Sequence, residues 1–243
     1  MKALWAQAGA ELRLTVRRGD AVLLNVAIPV GLLVFFSLVD VLPKPRGVRH
    51  PVDFLTPGIL ALAVISTAMV SLGIATGFER QYGVLKRLGV TPLGRPRLLA
   101  AKIVAVVAIE VVQVGLIVGV GLALGWNAGG SVWPAVPAVL LGTVAFAGIG
   151  LLMAGALRAE VNLAAANGLY LVFLLLGGTV IPLSKLPGGL RALARGLPAG
   201  ALSDALHASL SAGGGAVPLR AWVVLGAWAV GAPALAARFF RWE

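Results

Sequence analysis

Residues 54–78 form a run of 25 positions without a formal charge, and this run restricts the fold more than any other feature of the chain. At a helical rise of about 1.5 Å per residue it reaches roughly 37 Å, enough to cross a bilayer with some tilt. It reads as a membrane span, not a core helix. Composition agrees: 12% of residues are charged and the mean hydropathy is +0.97, whereas about a quarter of a soluble domain's residues carry charge. The expected class is therefore an all-α polytopic membrane protein.

Six spans are expected, over residues 21–39, 54–78, 103–124, 132–157, 161–181 and 221–237, with Glu110 the only formal charge inside them. The first is bracketed by Asp20 and Asp40 and no Ala-x-Ala site follows it, which favours a retained span over a cleaved signal peptide. Counting Lys and Arg on the two sides gives thirteen with the N-terminus and seven opposite. The positive-inside rule then places both termini in the cytoplasm.

The same count accounts for the net charge of +11. Most of the cations flank spans, where topology and anionic headgroups explain them, so nucleic acid is not an expected partner but membrane lipid is. The chain has no cysteine, which excludes a disulfide framework, thiolate metal sites and a cysteine nucleophile. Residues 1–20 carry an amphipathic pattern. Leu4, Trp5, Ala8, Leu12 and Val16 share one face, and Lys2, Gln7, Glu11, Arg13, Arg17 and Arg18 share the other. This suits either a helix lying in the headgroups or one that contacts a partner.

Residues 79–102 form a cytoplasmic loop that begins with a short helix candidate. Tyr82, Leu85 and Leu88 recur every three residues as an apolar stripe, while Arg80 and Arg87 lie on a shared polar side. Gly89 and Pro92 bound the helix, and Pro96 sits near the first turn of the next. From the residues alone, this element either docks on a partner or is a solvated basic loop.

Between the fifth and sixth spans, residues 183–220 are too apolar for a solvated loop and too broken by Pro187, Gly188, Gly189, Pro198 and Gly213 to Gly215 for another span. A re-entrant or surface-lying helical pair fits. It serves either as an outer gate or as an extracellular cap.

Two stretches carry a family resemblance. Glu79-Arg80-x-x-Gly83-x-Leu85-x-x-Leu88-x-Val90-Thr91-Pro92 resembles the cytoplasmic loop after the second span of type-2 ABC exporter permeases, the membrane subunits of bacterial drug, antibiotic and lipid exporters. Gly177-Gly178, Pro182-Leu183-Ser184, Leu186-Pro187, Leu190, Leu193 and Leu197-Pro198 resemble the family's segment that ends the fifth span and opens an external re-entrant hairpin. Residues 201–206 depart from that pattern in lacking an aromatic residue after the second proline.

The resemblance implies a single permease domain over residues 1–243 in a bacterial inner membrane. It further implies a coupling helix that enters a groove on a cytosolic ATP-binding subunit, two copies of that subunit carrying the ATP and Mg, and a second permease, identical or related. This chain itself is expected to hold no cofactor and no catalytic site. It lacks a Gly-x-x-x-x-Gly-Lys-Ser/Thr loop, and His50 and His207 belong to no metal-ligand motif.

Within the spans, Glu110 is the costliest residue, at about 2.5–3.5 kcal/mol near mid-span on insertion scales, so it faces protein or a wet path. Gln113 shares its face. The pair either attracts a cationic substrate or bonds a neighbouring helix, and Asn162 and Asn167 carry the same two readings. Gly73-x-x-x-Gly77, Gly115-x-x-x-Gly119 and Gly121-x-x-x-Gly125 permit close helix packing. An ion-coupled carrier or channel is the competing reading, and a non-transporting membrane scaffold a second. The carrier predicts internal repeats or several intramembrane charges, neither of which is evident.

Overall fold

The computed structural model describes residues 2–17, 19–39, 50–89, 94–211 and 215–239. Among these, the regular elements are helices. They run α1 (Lys2–Arg17), α2 (Gly19–Leu38), α3 (Pro51–Val64), a π-helical stretch Ile65–Ser71, α4 (Leu72–Gln81), α5 (Val84–Gly89), α6 (Arg95–Ala123), α7 (Val132–Ala156), α8 (Ala159–Leu176), a 3₁₀ turn Leu183–Lys185, α9 (Gly188–Gly196), α10 (Pro198–Leu210) and α11 (Leu219–Phe239).

Among the described residues, five helices are long and apolar enough to cross a membrane: the continuous Pro51–Gln81 rod, Arg97–Ala123, Val132–Ala156, Ala159–Leu176 and Leu219–Phe239. Ahead of them, α2 is 20 residues long and apolar from Asn25 to Leu38. At about 1.5 Å per residue it spans roughly 30 Å, the thickness of a hydrocarbon core.

The core lies along the Pro51–Gln81 rod and α7. α7 packs against α11, α4, α10 and the π-helical stretch, while α2 lies on α3 and α1 lies on α6. Small residues set the closest approaches. A Cβ on Gly148 would sit 2.5 Å from the backbone nitrogen of Pro233, and one on Gly150 would sit 2.5 Å from the carbonyl oxygen of Met69. Of the three glycine pairs named above, only Gly73 and Gly77 both face other elements, Gly150 and Asn162. Gly121 meets Thr56, but a Cβ added at Gly115, Gly119 or Gly125 would meet nothing within 4 Å.

One sequence expectation is corrected here. The fifth long apolar segment leaves the helix after Leu176, not at residue 181, because Gly178 adopts φ +73°, a left-handed conformation natural to glycine. The non-helical turn that follows is buried against α3, where the Thr179 carbonyl oxygen would lie only 2.0 Å from a Cβ on Gly58. Irregular backbone is thus held inside protein, as an apolar surrounding requires.

α6 begins at Arg95 with Pro96 in its first turn, as the sequence suggests, eight positions before the apolar segment that starts at residue 103, so Lys102 is part of the helix. α1 divides its apolar face between the protein and its own outer surface. Ala8 and Glu11 are buried on α6, whereas Trp5 and Val16 are exposed.

Candidate functional site

The end of α4 and the start of α6 build a charged cluster that sequence reasoning missed. Lys102 is 1% exposed, and its ammonium donates to Glu79 Oε2 at 2.6 Å and Glu11 Oε2 at 3.0 Å. Desolvating an ammonium costs several kcal/mol, which only close, hydrogen-bonded counter-charges offset. Two carboxylates supply them. The triad ties α1, α4 and α6 together immediately before the chain turns into α5.

That turn is Tyr82-Gly83, with Gly83 at φ +71°. The helix candidate of the sequence is therefore shorter than expected: Glu79 and Arg80 belong to the last turn of α4, and α5 starts at Val84. Arg80 and Arg87 do not share a helix face. The Arg80 guanidinium instead donates to the carbonyls of Gly155 and Leu157 at the end of α7. Gln81 donates to Glu160 of α8 at 2.7 Å.

The expected apolar stripe is divided as well. Leu85 is fully buried in the chain's own core, whereas Tyr82 is 71% exposed and stacked on Phe78. Val84, Lys86 and Arg87 are also exposed. The side chain of Leu88, together with Thr91 and Pro92, lies outside the described residues. An outward surface of Tyr82, Val84 and Arg87 thus sits on a glycine turn, anchored by a buried leucine.

A polar belt crosses the core at the π-helical stretch. Such local widening of a helix frequently marks functional positions. Ser71 donates to Asn25 Oδ1 at 2.7 Å, Thr67 to Gln113 Oε1 at 2.8 Å, and the Gln113 amide to the Asn25 carbonyl at 2.6 Å. A cavity of about 80 Å³ connects this belt with the Glu11–Lys102–Glu79 triad.

Glu110 and Gln113 are both buried but do not join. Gln113 belongs to the belt with α2, whereas Glu110 Oε2 accepts from Thr143 of α7 and its Oε1 has no hydrogen-bond partner among the described residues. Asn162 is buried and donates to the Gly73 carbonyl at 2.8 Å. Asn167 is exposed and bonds only its own helix, at the Leu163 carbonyl. These two asparagines therefore occupy different environments.

In the segment after α8, Pro182 is buried and Ser184 exposed, with the Ser184 carbonyl accepting from Arg191 at 2.8 Å. Pro187 precedes α9, and the buried Pro198 begins α10. α10 packs on α3, α7 and α11. Its His207 reaches the Phe54 carbonyl at 3.0 Å, and Asp204 pairs with Arg220 at the start of α11.

This architecture places a helical membrane body beside a short, outward-facing turn helix, and comparison of the sequence with known proteins covers most of the chain. The family model described as ABC-2 type transporter matches residues 2–210. The chain belongs to the ABC-2 type transporter family. It is also similar to "Putative transport permease YvfS" of Bacillus subtilis (strain 168), with 24% identity over 206 residues that cover 82% of this chain and 81% of that protein. Family membership makes this chain a multi-pass membrane subunit of an ABC transporter, and it implies an ABC ATP-binding partner. The matched region contains the triad, the α4–α5 turn and the polar belt.

Proposed function

We propose that this ABC-2 chain is the permease half of an ATP-driven exporter that moves a drug-, antibiotic- or lipid-like substrate out of the cell. Two cytosolic ATP-binding subunits hold ATP and Mg, and two permeases, identical or related, enclose the path. In this reading α2 is the first of six spans, both termini are cytoplasmic in a bacterial inner membrane, α1 lies at the inner headgroups, and α9–α10 form the external hairpin. The α4–α5 turn is the coupling element.

One observation carries the coupling assignment. Tyr82 and Val84 project outward from a turn whose other side is fixed by buried Leu85, and the rod leading into it is held by the Lys102 triad. A partner that moves this turn pulls directly on α4, and through Lys102 on α1 and α6. ATP-driven approach of the two ATP-binding subunits then exchanges inward and outward access.

Reconstitution with its ATP-binding subunit tests this. Tyr82→Asp should preserve membrane insertion and thermal stability, because Tyr82 is exposed, while ATP-dependent transport falls at least tenfold. Unaltered partner binding and transport in Tyr82→Asp would remove the coupling assignment. Transport driven by an ion gradient without nucleotide would replace the exporter with a carrier.

A further inference from the structure

Between α3, α6, α7 and α10 lies an open cavity of about 380 Å³, within the range of about 300–1,000 Å³ usual for small-molecule sites. Its walls are apolar, with Val111, Val118, Leu122, Val136, Leu140 and Leu206 among the side chains that line it. Glu110 is the one charged residue in that lining. The cavity extends from Glu110, near the middle of α6, to Trp126 beyond the helix end. At about 1.5 Å per residue, the stretch of α6 from Glu110 to Leu122 covers roughly 18 Å.

Glu110 is only 2% exposed, yet it is poorly satisfied. An ionised carboxylate offers about four acceptor sites. Here one oxygen has the Thr143 hydroxyl, which also lies 2.9 Å from the Val139 carbonyl, and the other has no partner among the described residues. When Glu110 is ionised, a single hydroxyl hydrogen cannot serve both acceptors. No described cation pairs with Glu110. A buried acidic group without a cation, at the inner end of a long apolar cavity, is complementary to a ligand that joins one positive charge to an extended hydrocarbon body.

We infer that this cavity binds an amphiphilic monocation, with the cationic head at Glu110 and the apolar body along α6 and α7 toward Trp126. The head offsets the desolvated carboxylate, and the body covers side chains such as Val111 and Val136 that the chain itself leaves open. The binding site concerns this chain alone. That its occupant is cargo rests on the exporter reading above, which partner and transport assays decide separately.

Equilibrium binding of tritium-labelled dodecyltrimethylammonium to the full chain in phosphatidylcholine nanodiscs tests the inference, with empty discs subtracting partition into lipid and dodecanol as the uncharged counterpart. Saturable binding of about one cation per chain is expected. Glu110→Gln should weaken the cation at least tenfold and leave dodecanol within about twofold. Val136→Trp fills the cavity from an exposed position and should remove saturable binding of both ligands. The inference is overturned if no saturable component exists, if Glu110→Gln lowers both ligands alike, as a structural carboxylate would, or if Val136→Trp binds like the wild type. Should Glu110→Gln fail to fold, the Val136→Trp comparison still decides whether the cavity is the site.

Discussion

Replacing Lys102 with Met removes the cation between Glu11 and Glu79 while retaining most of the apolar stem. The Lys102 side chain is 1% exposed and the two carboxylate side chains 11% and 14%. Removing one partner of a buried ion pair costs about 3–5 kcal/mol, because the charge left behind stays desolvated. The small access of both carboxylates puts this case at the lower end, about 3 kcal/mol. A chain of this size loses about 2–4 °C of Tm per kcal/mol, so Lys102→Met should melt roughly 6–12 °C below wild type. The triple variant Glu11→Gln, Lys102→Met, Glu79→Gln leaves no orphaned charge and should recover most of that loss. Thermal unfolding in detergent, followed by the monodisperse fraction on size exclusion, reads both. A single variant within about 2 °C of wild type, or a triple variant no better than the single, would refute the reasoning.

Other outcomes follow from the same geometry. Gly150→Val should destabilise by about 1–3 kcal/mol or more, because its Cβ meets the Met69 backbone, whereas Gly119→Ala, facing open space, should be neutral or better in the same melting assay. Arg80→Leu strands the carbonyls of Gly155 and Leu157 and should cost about 2–3 kcal/mol, with Arg80→Lys recovering part of it. Burial holds the His207 imidazole below its usual pKa, against the opposing pull of the Ser203 and Phe54 carbonyls. The unfolded chain therefore takes up the proton first, and stability falls as pH drops below about 6.5. Melting curves from pH 8 to 5.5 should show a steeper loss for wild type than for His207→Gln, and parallel curves would contradict this.

The membrane class and the long apolar helices were legible because a charge-free run is a one-dimensional signal set by bilayer thickness. Pairings across the fold were not. Glu79 and Lys102 each lie one position outside an expected span, on the same side of consecutive spans. That adjacency was the available signal for their ion pair. Glu11 joins from 91 residues away, a separation that no local pattern bridges. The costs of burying Glu11 and Lys102 cancel only when they meet. Periodicity likewise grouped Tyr82, Leu85 and Leu88 as one stripe, although Gly83 breaks the helix between the first two. Asn25 was overlooked as a single amide in an apolar run, yet it anchors the polar belt. Glu110 was found from its insertion cost, but the cavity beside it arises from four helices and a loop that no local pattern joins.

The coupling turn is the centre of this account, and the chain's lack of cysteine makes it directly addressable. A single cysteine at Tyr82, on the exposed face, should crosslink in native membranes to an ABC ATP-binding subunit identified by mass spectrometry, with a yield that changes when ATP is bound. Crosslinks that reach only lipid at this position, under conditions where the chain remains folded and inserted, would contradict the coupling account and favour the carrier or scaffold alternatives.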